Sequence, residues 1–173
     1  GGGVKSHIPE DDANAPANGY LWDLAQRKGI TFRNYGEFVV PSSMDPDDAM
    51  PPGYRGDKPF LKAHTDPDYP GFDLSIRDQH RVDEWQREFD RYVKTNSLPA
   101  LEIVRLPNDH TSGAQAGMPT PQAAMADNDL ALGRIVQAVS HSSYWKNTVI
   151  FVLEDDAQNG PAHVDSHRSP MLV

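Results

Sequence analysis

Apolar and polar positions along this chain change period several times, and the changes mark out six elements. Over Tyr20–Lys28, Leu21, Leu24 and Ala25 recur at helical spacing, and Gly29 follows where a helix C′ residue belongs. Ile30–Tyr35 then alternates through Ile30, Phe32 and Asn34, which predicts a short strand. Arg77–Lys94 returns to helical period, with Val82, Trp85, Phe89, Tyr92 and Val93 on one stripe. Pro99–Leu106 reads as a second strand, ending at Pro107-Asn108-Asp109-His110. A helix over Gln122–Ser140 is expected to bury Ala126, Leu130, Gly133, Val136 and Val139 or close neighbours. The last run, Thr148–Leu153, reads as a buried strand that stops abruptly at Glu154-Asp155-Asp156.

Helix, strand, helix, strand, helix, strand is the order of an α/β domain whose largely parallel sheet is flanked by helices. Two stretches stand apart. Residues 1–18 are rich in Gly, Pro and Asp and read as loop. Residues 41–71 carry prolines at 41, 46, 51, 52, 59, 67 and 70, so they form an excursion with little regular structure. Loops of that length within a domain tend to be functional or mobile.

Composition narrows the function. A chain of 173 residues suffices for one domain with a core. Its formal charge of −9 and the absence of a basic stripe disfavour a nucleic-acid-binding surface, because phosphate neutralisation supplies most of that affinity. No apolar run approaches the length of a transmembrane segment. Without a single cysteine, disulfides, thiolate catalysis and Cys-type zinc sites are excluded.

The chemistry gathers where two strands end. Asp109-His110 follows one β-run; Glu154-Asp155-Asp156, then His163, Asp165 and His167, follow another. Ligands bind at the carboxyl ends of strands in open α/β sheets. Adjacent carboxylates repel unless a cation compensates, and carboxylates with imidazoles suit a divalent metal ion: Zn, Mn, Fe or Ca. If the strands are parallel, both clusters open on one sheet edge. His110 could protonate a leaving group or bind metal. A plainer reading makes these Asp and His residues turn-formers and helix caps.

Leu106-Pro-Asn-Asp-His-Thr111, Ala126-Asp-Asn-Asp-Leu-Ala-Leu-Gly133, Ser143-Tyr-Trp145 and Val152-Leu-Glu-Asp-Asp-Ala-Gln158, in that order, resemble the bacterial phosphoesterase family. That family holds phospholipase C-like and acid phosphatase-like enzymes of the alkaline phosphatase superfamily. The resemblance implies a secreted or periplasmic hydrolase with an alkaline phosphatase-like α/β/α sandwich, acting on a phosphate-ester substrate. It also implies metal-ligand roles for Asp155, Asp156 and His167, and a ligand or acid role for Asp109 and His110. His163 is a further candidate ligand, although Ala162 stands where the family often carries an acidic residue. No strand followed by a Ser or Thr nucleophile is found, so residues 1–173 are expected to be a partial domain, the central to C-terminal part of the enzyme. The alternative is a non-catalytic cation- or glycan-binding domain of a surface protein.

Overall fold

The computed structural model describes residues 16–42, 53–154 and 169–173. It is a mixed α/β structure centred on one parallel strand pair. Helix α1 (Leu21–Arg27) leads to β1 (Phe32–Tyr35); β2 (Val39–Pro41) and β3 (Tyr54–Gly56) follow, then α2 (Asp78–Thr95), β4 (Leu101–Val104) and α3 (Pro121–Ser140). Short strands β5 (Val152–Leu153) and β6 (Met171–Leu172) come last.

Each helix boundary has a local cause. The end of α1 is a Schellman motif: Ile30 N–H donates to Ala25 C=O and Gly29 N–H to Gln26 C=O, with Gly29 at φ +65°. Asn96 takes the left-handed conformation that ends α2. The Thr120 hydroxyl accepts from Ala123 N–H, and Pro121 opens α3, where its missing N–H costs nothing.

β1 and β4 run parallel, with Phe32 opposite Leu101 and Tyr35 opposite Val104. Strand alternation sends their side chains to two separate cores. Phe32, Leu101 and Ile103 join Trp22 and Ala25 of α1, with Phe38 and Leu61. Tyr35 and Val104 face the other way, onto Val82, Trp85 and Phe89 of α2 and Ala131, Ile135 and Val139 of α3. The sheet is thus covered by α1 on one face and by α2 and α3 on the other. On the α2 face, Arg33 makes a two-pronged ion pair with Glu88, at 2.7 and 3.0 Å. Burial alone would raise the Glu88 carboxyl, but hydrogen bonds and charge from Arg33 outweigh it and hold the pKa below the ordinary value.

Several expectations need correcting. Among the described residues parallel pairing is limited to β1 with β4 and a single bridge between Asn34 and Thr65; β2 pairs antiparallel with β3, and β5 antiparallel with β6. Thr148–Leu153 is not a buried strand: Val149, Phe151 and Leu153 are 61–65% exposed, and only Val152 and Leu153 are paired. Ile150 alone of that run packs against the α2–α3 core. The buried face of α3 is Ala124, Ala131, Ile135 and Val139, leaving Leu130 59% exposed. In α1 the core residues are Trp22 and Ala25, while Leu21 and Leu24 lie outward.

The described part of the Pro-rich excursion is packed. Leu61, Asp66 and Tyr69 are fully buried. His64–Asp66 closes the outer edge of β1, with Asn34 N–H donating to His64 C=O and Asp66 N–H to Asn34 C=O. No helix among the described residues is long and apolar enough to cross a membrane.

Candidate functional site

The C-terminal end of β4 is clamped by both large helices. After Val104 the chain enters a 3-10 turn, Pro107–His110, whose first residue suits proline. Asn108 is buried in that turn. Its backbone N–H donates to Asp78 Oδ2 (3.0 Å), at the start of α2, and its side-chain amide donates to Asp127 Oδ2 of α3 (3.1 Å). Asn128 completes the clamp, donating to Asp78 Oδ2 (3.0 Å) and to Leu106 C=O (2.8 Å).

The same residues satisfy the N-terminus of α2. Arg77, its N-cap, makes no side-chain cap bond, and Asp127 serves instead, accepting Asp78 N–H at 2.6 Å. Arg81, fully buried, neutralises Asp78 at 3.2 Å and donates to the carbonyls of Gly71, Asp73 and Ile76. Burial raises the Asp78 carboxyl above its ordinary value, against the pull of Asn128, Asn108 and Arg81. The turn is therefore pinned by charge-assisted hydrogen bonds from two directions.

On this anchored turn sit two of the sequence-predicted residues. Asp109 is half-buried and lines a groove of about 970 Å³ that also meets Glu37 and Glu154. His110 is exposed and meets Phe72 edge-on, 5.4 Å between ring centres. Its Nδ1 lies 3.0 Å from Thr111 C=O, an acceptor, so Nδ1 is the donor in that contact. Nε2 is then the ring nitrogen through which this imidazole would ligate a metal or exchange a proton. Arg105, over the Phe72 ring at 5.1 Å and 3.7 Å from Glu37, brings a positive charge to the same corner.

Glu154, first of the acidic run, lines the groove that Asp109 lines. Asp155, Asp156, His163 and His167 lie outside the described residues. Sequence reasoning gave no structural role to Asp78 or Arg81, and it met Asp127, Asn108 and Asn128 only as parts of motifs. The visible signal was an Asp-Asn pair in a helix, where both types are poor helix formers unless their side chains bond elsewhere.

A second acidic group was not foreseen. Asp66, Asp68 and Glu84 each offer an oxygen within 4.8 Å of the others, so they could hold a metal ion. Here the Arg87 guanidinium reaches all three: 3.4 Å from Asp66, 3.7 Å from Asp68, and in contact with Glu84. Burial, with the neighbouring Glu88, pushes the Asp66 carboxyl up to about 6. The residues come from a loop and a helix far apart in sequence, so no spacing announces them. No family model, no curated protein and no solved structure matches this chain.

Proposed function

We propose that this chain is part of a metal-dependent phosphoesterase, a phosphomonoesterase or a phosphodiesterase of phospholipase C type, built on an alkaline phosphatase-like α/β/α sandwich. The observation that carries the reading is the shared groove of Asp109 and Glu154. It brings the start of the Glu154-Asp155-Asp156 run to the same cavity as the Asp109-His110 turn. Carboxylate and imidazole donors of this kind fit a divalent cation. In this reading Asp109, Asp155 and Asp156, with His163 or His167, hold the metal. The cation would act as Lewis acid on a phosphoryl oxygen. His110 would protonate the leaving group from its place on the rigid turn, and Arg105 would attract the phosphate. The hydroxyl nucleophile would come from a segment outside this chain.

Bound divalent metal in the purified chain and in an Asp155→Ala/Asp156→Ala variant tests the ligand set. Hydrolysis of p-nitrophenyl phosphate and its diester by the parent protein, with and without His110→Asn, tests the chemistry. Metal lost in the double variant, and a rate lowered about 100-fold by His110→Asn, are expected. Metal binding without hydrolysis in the parent would favour the cation-binding module. A parent that hydrolyses at full rate without Asp155 and Asp156 would refute the ligand assignment.

A further inference from the structure

The free edge of β4 lies across a groove from a run of the same chain that has a free edge of its own. Among the described residues β4 pairs only with β1. Leu101 N–H donates to Thr31 C=O and Arg105 N–H to Tyr35 C=O, so Glu102 and Val104, between them, turn their N–H and C=O groups away from β1. Residues 149–153 line the groove of about 970 Å³ together with β4. On their side, Val152 pairs with Leu172 and Glu154 N–H donates to Pro170 C=O, so the even-numbered residues bond to β6. Alternation then leaves Leu153, and Phe151 before it, to turn N–H and C=O to the other edge.

The side chains are in phase as well. Leu101 and Ile103 belong to the core under α1, and Val104 to the core under α2 and α3. Ile150 already packs in that second core, so alternation puts Val149, Phe151 and Leu153 on the α1 face. There Leu21 of α1 lines the groove at 58% exposure, and Val149, Phe151 and Leu153 are themselves 61–65% exposed. The two stretches also start together. The Tyr144 hydroxyl accepts Leu98 N–H at 3.3 Å, and the Thr148 hydroxyl donates to Tyr144 C=O at 2.9 Å.

We propose that residues 149–153 are a hinged strap that closes onto β4 as its second parallel neighbour. The connection runs from strand through α3 to strand, the unit that lays two strands parallel in one sheet. In the closed register Val149 lies beside Leu101 and Phe151 beside Ile103, under Leu21, while Ile150 keeps its place in the α2–α3 core. Glu102 then exchanges backbone hydrogen bonds with Val149 and Phe151, which removes an unpaired edge. Closure also takes exposed apolar side chains out of water. It draws the end of the run, at Glu154, toward the turn that carries Asp109, although the phosphoesterase reading is not needed for it.

The chain has no cysteine, so two introduced ones report on each other alone. Closure brings the Cα atoms of residues 103 and 151 within the roughly 7 Å that a disulfide spans. Under mild oxidation, Ile103→Cys/Phe151→Cys is expected to form a disulfide within one chain about tenfold or more faster than Ile103→Cys/Leu172→Cys. Val149→Asp/Phe151→Asp, at two exposed positions, would bury charge on closing. The Glu102 and Val104 amides are expected to exchange about tenfold or more faster in that variant than in the unaltered chain, while the Leu101 and Arg105 amides, bonded toward β1, keep their rates. The disulfide rates decide; the exchange comparison decides only if the cysteine variants do not fold. Equal rates for the two cysteine pairs, or faster pairing with Leu172→Cys, overturn the proposal. A disulfide formed between two chains overturns it in favour of a second copy. In the exchange comparison, Glu102 and Val104 amides unmoved by the two Asp substitutions overturn it.

Discussion

The Asp78 carboxylate accepts the backbone N–H of Asn108 at 3.0 Å, tying the first residue of α2 to the turn that presents Asp109 and His110. Helix and turn are thirty residues apart in sequence, and Asp127 locks both from α3. The candidate site thus rests on the junction of three elements.

Asp127→Ala removes the cap of α2 and the acceptor of the Asn108 side chain together. It is expected to cost about 2–3 kcal/mol in urea unfolding, since the Asp78 N–H and the Asn108 amide lose their acceptor and the exposed Arg77 loses its ion pair. Asp127→Asn, which keeps one acceptor oxygen, should cost roughly half as much. The amide resonances of Asn108, Asp109 and His110 should move in both. Unmoved resonances would show that the turn holds without α3.

Glu102 makes stability depend on pH. Its carboxyl accepts Trp85 Nε1–H at 3.2 Å, and burial lifts its pKa from 4.5 to about 7. The folded state therefore holds this proton more tightly than the unfolded chain. The resulting stability is complete below pH 4.5 and is lost as pH rises through 7. Glu102→Gln should match the natural chain near pH 4.5 and exceed it at pH 8 by on the order of 3 kcal/mol. Urea midpoints for both at the two pH values check this; a constant difference would place the charged carboxylate in water.

The face that α3 buries is testable by one pair of truncations. Ile135→Ala should cost about 2–4 kcal/mol, whereas Leu130→Ala, at 59% exposure, should stay within about 0.5 kcal/mol. Reversed magnitudes would restore the face that periodicity suggested.

Gly36 turns the chain out of β1 at φ +95°, and a Cβ there would stand 2.8 Å from Tyr69 Cε1. Tyr69 is fully buried and cannot yield. Gly36→Ala is expected to cost about 2 kcal/mol or more, from strain and clash together. Gly117→Ala shares a positive φ (+85°) but meets nothing within 4 Å, so it should cost only about 1 kcal/mol. Thermal unfolding of the two separates clash from backbone strain.

Local chemistry made much of the chain legible. The stripe Val82, Trp85 and Phe89 is buried, Gly29 ends α1, and Asp109-His110 follows β4 in a turn. These depend on neighbours within a few residues, where period, caps and prolines act directly. What the sequence by itself determined was therefore the order of elements and the placing of Asp109 and His110 at a strand end. Tertiary structure alone decided which stripe of α3 turns inward. Asn128 lies one turn from both Ala124 and Ala131, and its bonds to Asp78 and Leu106 hold that stripe against the sheet in place of the one through Leu130. It also decided that Thr148–Leu153 stays largely unpaired, because an apolar strand is buried only where a neighbour's backbone and side chains meet it. Apolar period records a preference for burial; the partner that grants it comes from contacts distant in sequence.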